Sequence, residues 1–231
     1  MTGRLARWTR ELRDLPADLR QQWRLDGWRG ALVELRERTV HRVWRSGRYI
    51  VFVQSMDSNR RLPAPAGVTI APVEEGDWPA LALIVPRVKL ARFRRWHERG
   101  RVMLVARRGG RALGYTWYSH RMEPDIEYYD LDLPAGAVYG WALYVVPAER
   151  SSGIGSALVS ARIEHARERG YRTSWRIVDV KNPAAQRTVA KSANSRDRLR
   201  IGELFWTKFF SRSRTRFVPD APPEQPREPA P

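Results

Sequence analysis

The sequence predicts an α/β (α+β) fold, in which apolar strands and amphipathic helices are mixed from Val68 to Val218 behind a basic helical N-terminal extension. Three observations carry this. Tyr144-Val145-Val146-Pro147 reads as the end of a buried strand, followed by a loop with Gly153 and Gly155 and then the start of a helix. Residues 102–106 and 112–118 are apolar strands flanking Arg107-Arg108-Gly109-Gly110-Arg111, the pattern of a hairpin with a Gly-Gly turn. Residues 4–46 hold leucines and tryptophans at helical spacing among arginines.

Taken in order, Leu5, Trp8, Leu12 and Leu15 share one helical face, and a break is expected at Leu15-Pro16 because Pro suits the first turn of a new helix. Leu19, Trp23, Trp28, Leu32 and Leu35 form a second stripe, imperfect around Gly27 and Gly30. It reads as a packing face on the domain or on a second subunit, or as an interfacial helix on an anionic membrane surface; six acidic residues dilute its charge. Residues 48–54 are a strand, and Pro63, Pro65 and Gly67 mark residues 55–67 as a linker. The expected division is therefore 1–60 as extension plus strand, 68–218 as the main domain, and 219–231 as a disordered Pro-rich tail.

Within the main domain, residues 68–71 form a short strand and Asp77 is expected to cap a helix that carries Trp78, Leu81, Leu83 and Ile84. Pro86 begins another helix, ended by Gly100. The acidic, aromatic residues 121–136 interrupt the sheet before 138–146 resume it. Residues 156–169 are a helix with Leu158, Val159, Ile163 and Ala166 inward, stopped by Gly170. A strand at 173–178, a helix opened by Asn182-Pro183, and strands at 201–210 and 215–218 complete the fold.

Composition narrows the chemistry. The chain has no cysteine, which excludes disulfides, cysteine nucleophiles and thiolate zinc sites. Its four histidines, His41, His97, His120 and His165, have no close ligand partner in sequence, so no metal is expected. No apolar run has the length of a membrane span, and the N-terminus lacks the apolar core of a secretory signal. The expected location is cytoplasmic, peripheral to the inner face of the membrane if the basic extension binds lipid. The net charge of +17 favours anionic partners. Arg196, Arg198, Arg200, Arg212, Arg214 and Arg216 could meet nucleic-acid phosphates, but no specific nucleic-acid motif is present.

The loop at 150–155 is the most specific signal. A glycine-bearing loop opening a helix leaves several N–H groups unpaired at the positive end of the helix dipole, which suits a phosphate. The spacing is not G-x-x-x-x-G-K-[ST], and Leu158 rules out G-x-G-x-x-G. It is R-x-x-G-x-G after a strand ending in V-x-P. This resembles the coenzyme A loop of the GNAT superfamily of acyl-CoA-dependent N-acyltransferases, with Arg150, Gly153 and Gly155 at its diagnostic positions and Val145 and Pro147 before it.

The resemblance implies a GNAT-like mixed, mostly antiparallel sheet, splayed at the strand 138–146. The exposed backbone of that strand, at Leu143 and Val145, would pair with the pantetheine arm. N–H groups of Ser151, Ser152, Gly153, Ile154, Gly155 and Ser156 would hold the pyrophosphate beside Arg150. Asn182 and Ala185 match the family's N-x-x-A at the head of the next helix, with Asn182 near the thioester. Three family features are missing. Thr188 and Val189 stand where many relatives carry a general-acid Tyr, residues 138–144 hold no carboxylate, and Ser192-Ala193-Asn194-Ser195-Arg196 replaces the usual G-F.

The implied function is an N-acyltransferase, expected to be an N-acetyltransferase, that moves an acyl group from acetyl-CoA or another acyl-CoA to a primary amine by direct attack. A carboxylate accepts the amine proton, and Glu127, then Asp130, are the first candidates in a lip flanked by Trp117, Tyr118, Tyr128 and Tyr129. A backbone N–H near Val145 is the expected oxyanion donor, and Tyr144 is a candidate acid. The rival readings are a coenzyme A-binding protein without catalysis, and a basic membrane-surface or nucleic-acid-associated binding protein. An acyl-carrier protein is the alternative donor, and a homodimer is the oligomer that the reading allows.

Overall fold

The computed structural model describes residues 2–38, 44–57, 61–122, 131–191, 198–209 and 212–220. A long helix α1 (Thr2–Arg38) precedes β1 (Trp44–Ser55) and β2 (Thr69–Pro72). Two short helices follow, α2 (Trp78–Ala82) and α3 (Arg87–Glu98), then the hairpin β3 (Val102–Arg108) and β4 (Arg111–Ser119). The chain continues through β5 (Ala137–Val145), α4 (Ile154–Glu168), β6 (Thr173–Asp179) and α5 (Pro183–Lys191), and ends in β7 (Arg198–Phe209) and β8 (Arg212–Pro219).

The eight strands form one sheet in the order β2-β3-β4-β5-β6-β1-β7-β8. Every neighbouring pair is antiparallel except β5 and β6, which are parallel and joined by the crossover helix α4. The sheet is thus mixed and mostly antiparallel, as the resemblance implies.

Period-two alternation sorts the core. On one face Met103, Val105, Tyr115, Trp117, Tyr139 and Trp141 pack with Trp78, Leu81, Phe93 and Trp96 of α2 and α3. Trp117 stacks on Trp141 at 5.2 Å, and Trp96 meets Trp141 edge-on at 4.7 Å. On the other face Leu104, Tyr118 and Val138 meet Val159 and Ile163 of α4, while Ala106 and Leu113 meet Ile154 and Leu158. Gly109 and Gly110, both at positive φ (55° and 76°), make the two-residue turn between β3 and β4.

Three sequence expectations are corrected. The N-terminal helix runs through Pro16 and breaks instead at Gly27, whose φ of 68° and ψ of −161° are non-helical. Pro16 removes one backbone donor from a helix of 37 residues, whereas Gly27 turns the chain into a region closed to most side chains. The strand assigned to the extension lies inside the sheet: β1 pairs with β6 on one side and β7 on the other. The Pro-rich stretch after it therefore does not separate two sheets. Asp77 does not cap α2; its carboxylate accepts from the Glu74 N–H at 2.7 Å and from the Arg107 guanidinium, which holds it below the usual carboxylate range against the opposing effect of burial. Leu83 lies just past the end of α2 at Ala82 and is 72% exposed.

Candidate functional site

The site begins where β5 and β6 part. Their parallel pairing covers only Ala137–Tyr139 against Thr173–Trp175. Beyond Tyr139 the β6-facing edge of β5 has no ladder partner, while its other edge stays paired to β4 as far as Gly114↔Val145. A register shift between Tyr115 and Trp117 places one extra residue on β5, and Ala142 sits there at φ 47°. A non-glycine residue in this region marks a bulge held by its surroundings. The antiparallel alternation then turns Val145 away from β4: the Val146 N–H donates to Leu113 O at 2.9 Å, and the Val145 carbonyl accepts from Arg150 Nε at 3.2 Å. The Val145 N–H therefore faces the gap.

The loop at the end of β5 is wound for anion contact. Pro147–Glu149 make a 3-10 turn, and Ser151 and Gly153 both adopt positive φ, 68° and 92°. The Arg108–Glu149 ion pair, at 2.7 Å, ties the loop to β3, and Ser152 Oγ donates to Glu149 O at 2.6 Å. Among the described residues, the N–H groups of Ser151, Ser152 and Gly153 donate to no backbone acceptor. Those of Ile154, Gly155 and Ser156 open α4, whose N-terminus carries no side-chain cap. A Cβ at Gly155 would occupy the space beside the Val145 side chain. The N–H groups of residues 151–156, a helix dipole and Arg150 form a donor set of the kind that fits a diphosphate. Among the described residues no group of three His, Asp or Glu is placed to hold a metal ion.

Asn182 stands at the head of α5, after β6 and across the gap from β5. Its Oδ1 accepts from the Ala185 N–H at 3.0 Å, so the side-chain amide nitrogen is the part a ligand would meet. Leu143 lies on the exposed stretch of β5. Tyr144 turns inward onto Tyr115, stacked at 5.4 Å, with the Arg150 guanidinium 5.9 Å from its ring. Burial pushes the Tyr144 hydroxyl well above the ordinary tyrosine range; Asp26 and Tyr115 add to this and Arg150 opposes it. It stays protonated at neutral pH and keeps a proton to donate. Glu127 and Asp130, with the rest of the acidic lip at 123–130, lie outside the described residues.

Two residues at the site were not anticipated. Asp26 of α1 pairs with Arg150 at 2.6 Å, placing a carboxylate on the loop's arginine. Arg162 of α4 is 3% exposed, beneath the splayed strand: its Nη1 donates to Thr116 Oγ1 at 3.0 Å, while Nε and Nη2 are buried without a partner. Burial pushes its guanidinium down to about 10, so it is still cationic at neutral pH. The Arg162 side chain fills the space where Gly140 lacks a Cβ. The signal was present, since 158, 159, 162, 163 and 166 form one helical stripe. No such signal exists for Asp26, which sits 124 residues from its partner.

The opening therefore lies at one parallel strand pair, with a two-glycine loop and an uncapped helix N-terminus at its end. The profile of the acetyltransferase (GNAT) family matches residues 70–193, over half of the chain, and the chain belongs to that family. No curated protein matches the chain at a significant level. Among solved structures, a Drosophila protein determined by a structural genomics consortium is 13% identical with a TM-score of 0.52, covering 79% of this chain and 58% of its own. A GCN5-related N-acetyltransferase from Sphaerobacter thermophilus is 16% identical with a TM-score of 0.47, covering 78% of this chain and 56% of its own. An N-acetyltransferase from Staphylococcus aureus Mu50 is 21% identical with a TM-score of 0.43, covering 55% and 82% respectively. This chain thus spans little more than half the length of the first and second of these.

Proposed function

We propose that the protein is an N-acyltransferase that moves an acyl group, acetyl in the first instance, from acyl-CoA to a primary amine. The observation that carries this reading is the open edge of β5 running directly into an uncapped helix N-terminus and its R-x-x-G-x-G loop. In this reading the N–H groups of residues 151–156 and Arg150 bind the diphosphate, and the backbone at Leu143 and Val145 pairs with the pantetheine arm. The amide of Asn182, with Ala185 beneath it, holds the far side of that arm. The amine nitrogen bonds to the acyl carbon as the C–S bond breaks, the thiolate leaves and the amine proton passes to a carboxylate. Glu127, then Asp130, are the carboxylates we assign, a backbone N–H of the splayed strand near Val145 stabilises the oxyanion, and Tyr144 donates to the departing sulfur.

A recess of about 650 Å³ lies where β1, β7 and β8 meet the end of β6. Arg48, Lys181, Arg214 and Arg216 line it. It suits the acidic surface of an acyl-carrier protein as an alternative donor. Two observations favour a second reading, in which the domain binds coenzyme A without turnover: β5 carries no carboxylate, and Thr188 and Val189 stand where relatives carry a Tyr. We place either activity in the cytoplasm.

Thermal unfolding with coenzyme A, acetyl-CoA and longer acyl-CoAs tests the donor site. A ligand of the folded state at a hundred times its dissociation constant adds roughly 2.7 kcal/mol. The expected result is a raised midpoint that Arg150→Glu abolishes without unfolding the protein. No shift with any donor at saturating concentration would sink the assignment. Thiol release with a panel of amines then separates the enzyme from the non-catalytic binder.

A further inference from the structure

We propose that the outward face of α1 is a docking surface for an anionic lipid bilayer. A helix packed on a domain normally turns its apolar stripe inward. Here the orientation is reversed. Trp23, Trp28, Leu32 and Val33 are 61%, 58%, 54% and 60% exposed. The helix is instead held to the domain by polar groups. Asp18 is buried and accepts from the Arg87 N–H at 3.1 Å, Gln21 Nε2 donates to Ala82 O at 3.0 Å, and Asp26 pairs with Arg150.

This docking also sorts the charges. Between residues 15 and 36 the acidic residues are Asp18, which is buried, and Asp26 and Glu34, which are partly buried. The exposed charges in that stretch are all arginine: Arg20, Arg24, Arg29 and Arg36. Two of the acidic residues in that stretch are therefore turned to the protein, Asp18 onto the Arg87 N–H and Asp26 onto Arg150. What remains outward is apolar side chains among cations, with the Arg29 guanidinium 5.4 Å from the Trp28 ring.

Charge selects the occupant. A second copy would set arginine against arginine on a chain of net charge +17. Nucleic-acid phosphates would satisfy the arginines and leave Leu32 and Val33 without use. An anionic bilayer meets both, phosphate headgroups taking the arginines and the acyl boundary taking Trp, Leu and Val. The Asp26–Arg150 link then brings the 150–156 loop close to the lipid surface. The surface does not depend on the acyl-transfer reading.

The test is flotation of the full chain with phosphatidylglycerol–phosphatidylcholine vesicles and with phosphatidylcholine alone, beside the exposed-face variant Trp28→Ser with Leu32→Ser. The expected result is binding to the anionic vesicles only, reduced about tenfold or more in the variant, with the melting temperature unchanged. No binding of the wild type overturns the proposal. So does equal binding of wild type and variant, which would assign the attraction to charge elsewhere. A dimer in sedimentation that the variant dissociates and vesicles leave intact would assign the face to a second copy.

Discussion

Arg150 is shared between two partners drawn from distant parts of the chain, the Val145 carbonyl beside it and the Asp26 carboxylate of α1. A phosphate arriving at the loop competes with that carboxylate for the same guanidinium. Asp26→Asn is therefore expected to tighten coenzyme A binding severalfold in titration calorimetry, while the partly exposed pair contributes no more than about 1 kcal/mol to stability. Gly153, at φ 92°, behaves differently. Gly153→Ala forces a side chain into the left-handed region at a cost of about 1 kcal/mol, and Gly153→Val should in addition abolish the acyl-CoA thermal shift. Equal donor affinity in Gly153→Val would show that the loop is not the phosphate site. The loop that holds Arg150 and Gly153 was legible because its glycine spacing directly follows a strand. Asp26 was not, because its role follows from where a separate helix docks.

At the scale of elements, the splayed strand rests on one side chain. A methyl group at Gly140 would overlap the Arg162 guanidinium. Gly140→Ala should destabilise by about 1–3 kcal/mol through overpacking, and adding Arg162→Ala should relieve most of it. Chemical denaturation of the two single variants and the double variant closes that cycle; additive losses would mean that the two groups do not compete for space. Helix α4 also holds a titrating contact. Burial pushes the Tyr118 hydroxyl up to about 12, and it meets His165 Nδ1 at 2.8 Å. Burial first, and then Arg169, hold His165 below its ordinary 6.5. As pH falls through that value the unfolded chain takes up the proton before the folded one, so stability decreases below about pH 6.5. His165→Gln should flatten the dependence of the melting temperature between neutral pH and about pH 5. The strands and α4 were readable from periodicity and glycine stops. The break in α1 was not, since Pro16 is the stronger helix breaker by propensity and the docking of the helix put the bend at Gly27.

At the scale of the molecule, the family-matching segment is not a complete sheet. Residues 70–193 lack β1, β7 and β8, so β6 would lose its antiparallel partner and present an open edge. That segment expressed alone should aggregate or melt without cooperativity, and a cooperative transition in its circular dichroism would show that the outer strands are dispensable. Removing α1 while keeping Trp44 onward is expected to preserve the sheet, losing the Asp18 contact to α3 and the Arg150 clasp. The sequence supported a boundary after residue 54 because Pro63, Pro65 and Gly67 look like a linker. Strand order cannot be read from such punctuation: β1 joins partners that lie far along the chain.

The position of β1 has a consequence for synthesis on the ribosome. The strand leaves the exit tunnel long before β6 and β7, the two neighbours that complete its ladder. The β2–β4 meander and α3 can collapse while the chain is still growing, but the sheet closes only after β7 has emerged. Throughout that interval Ile50-Val51-Phe52-Val53 is an unpaired apolar segment. Arrested nascent chains should therefore bind hydrophobic-segment chaperones at β1 until the final strands are released.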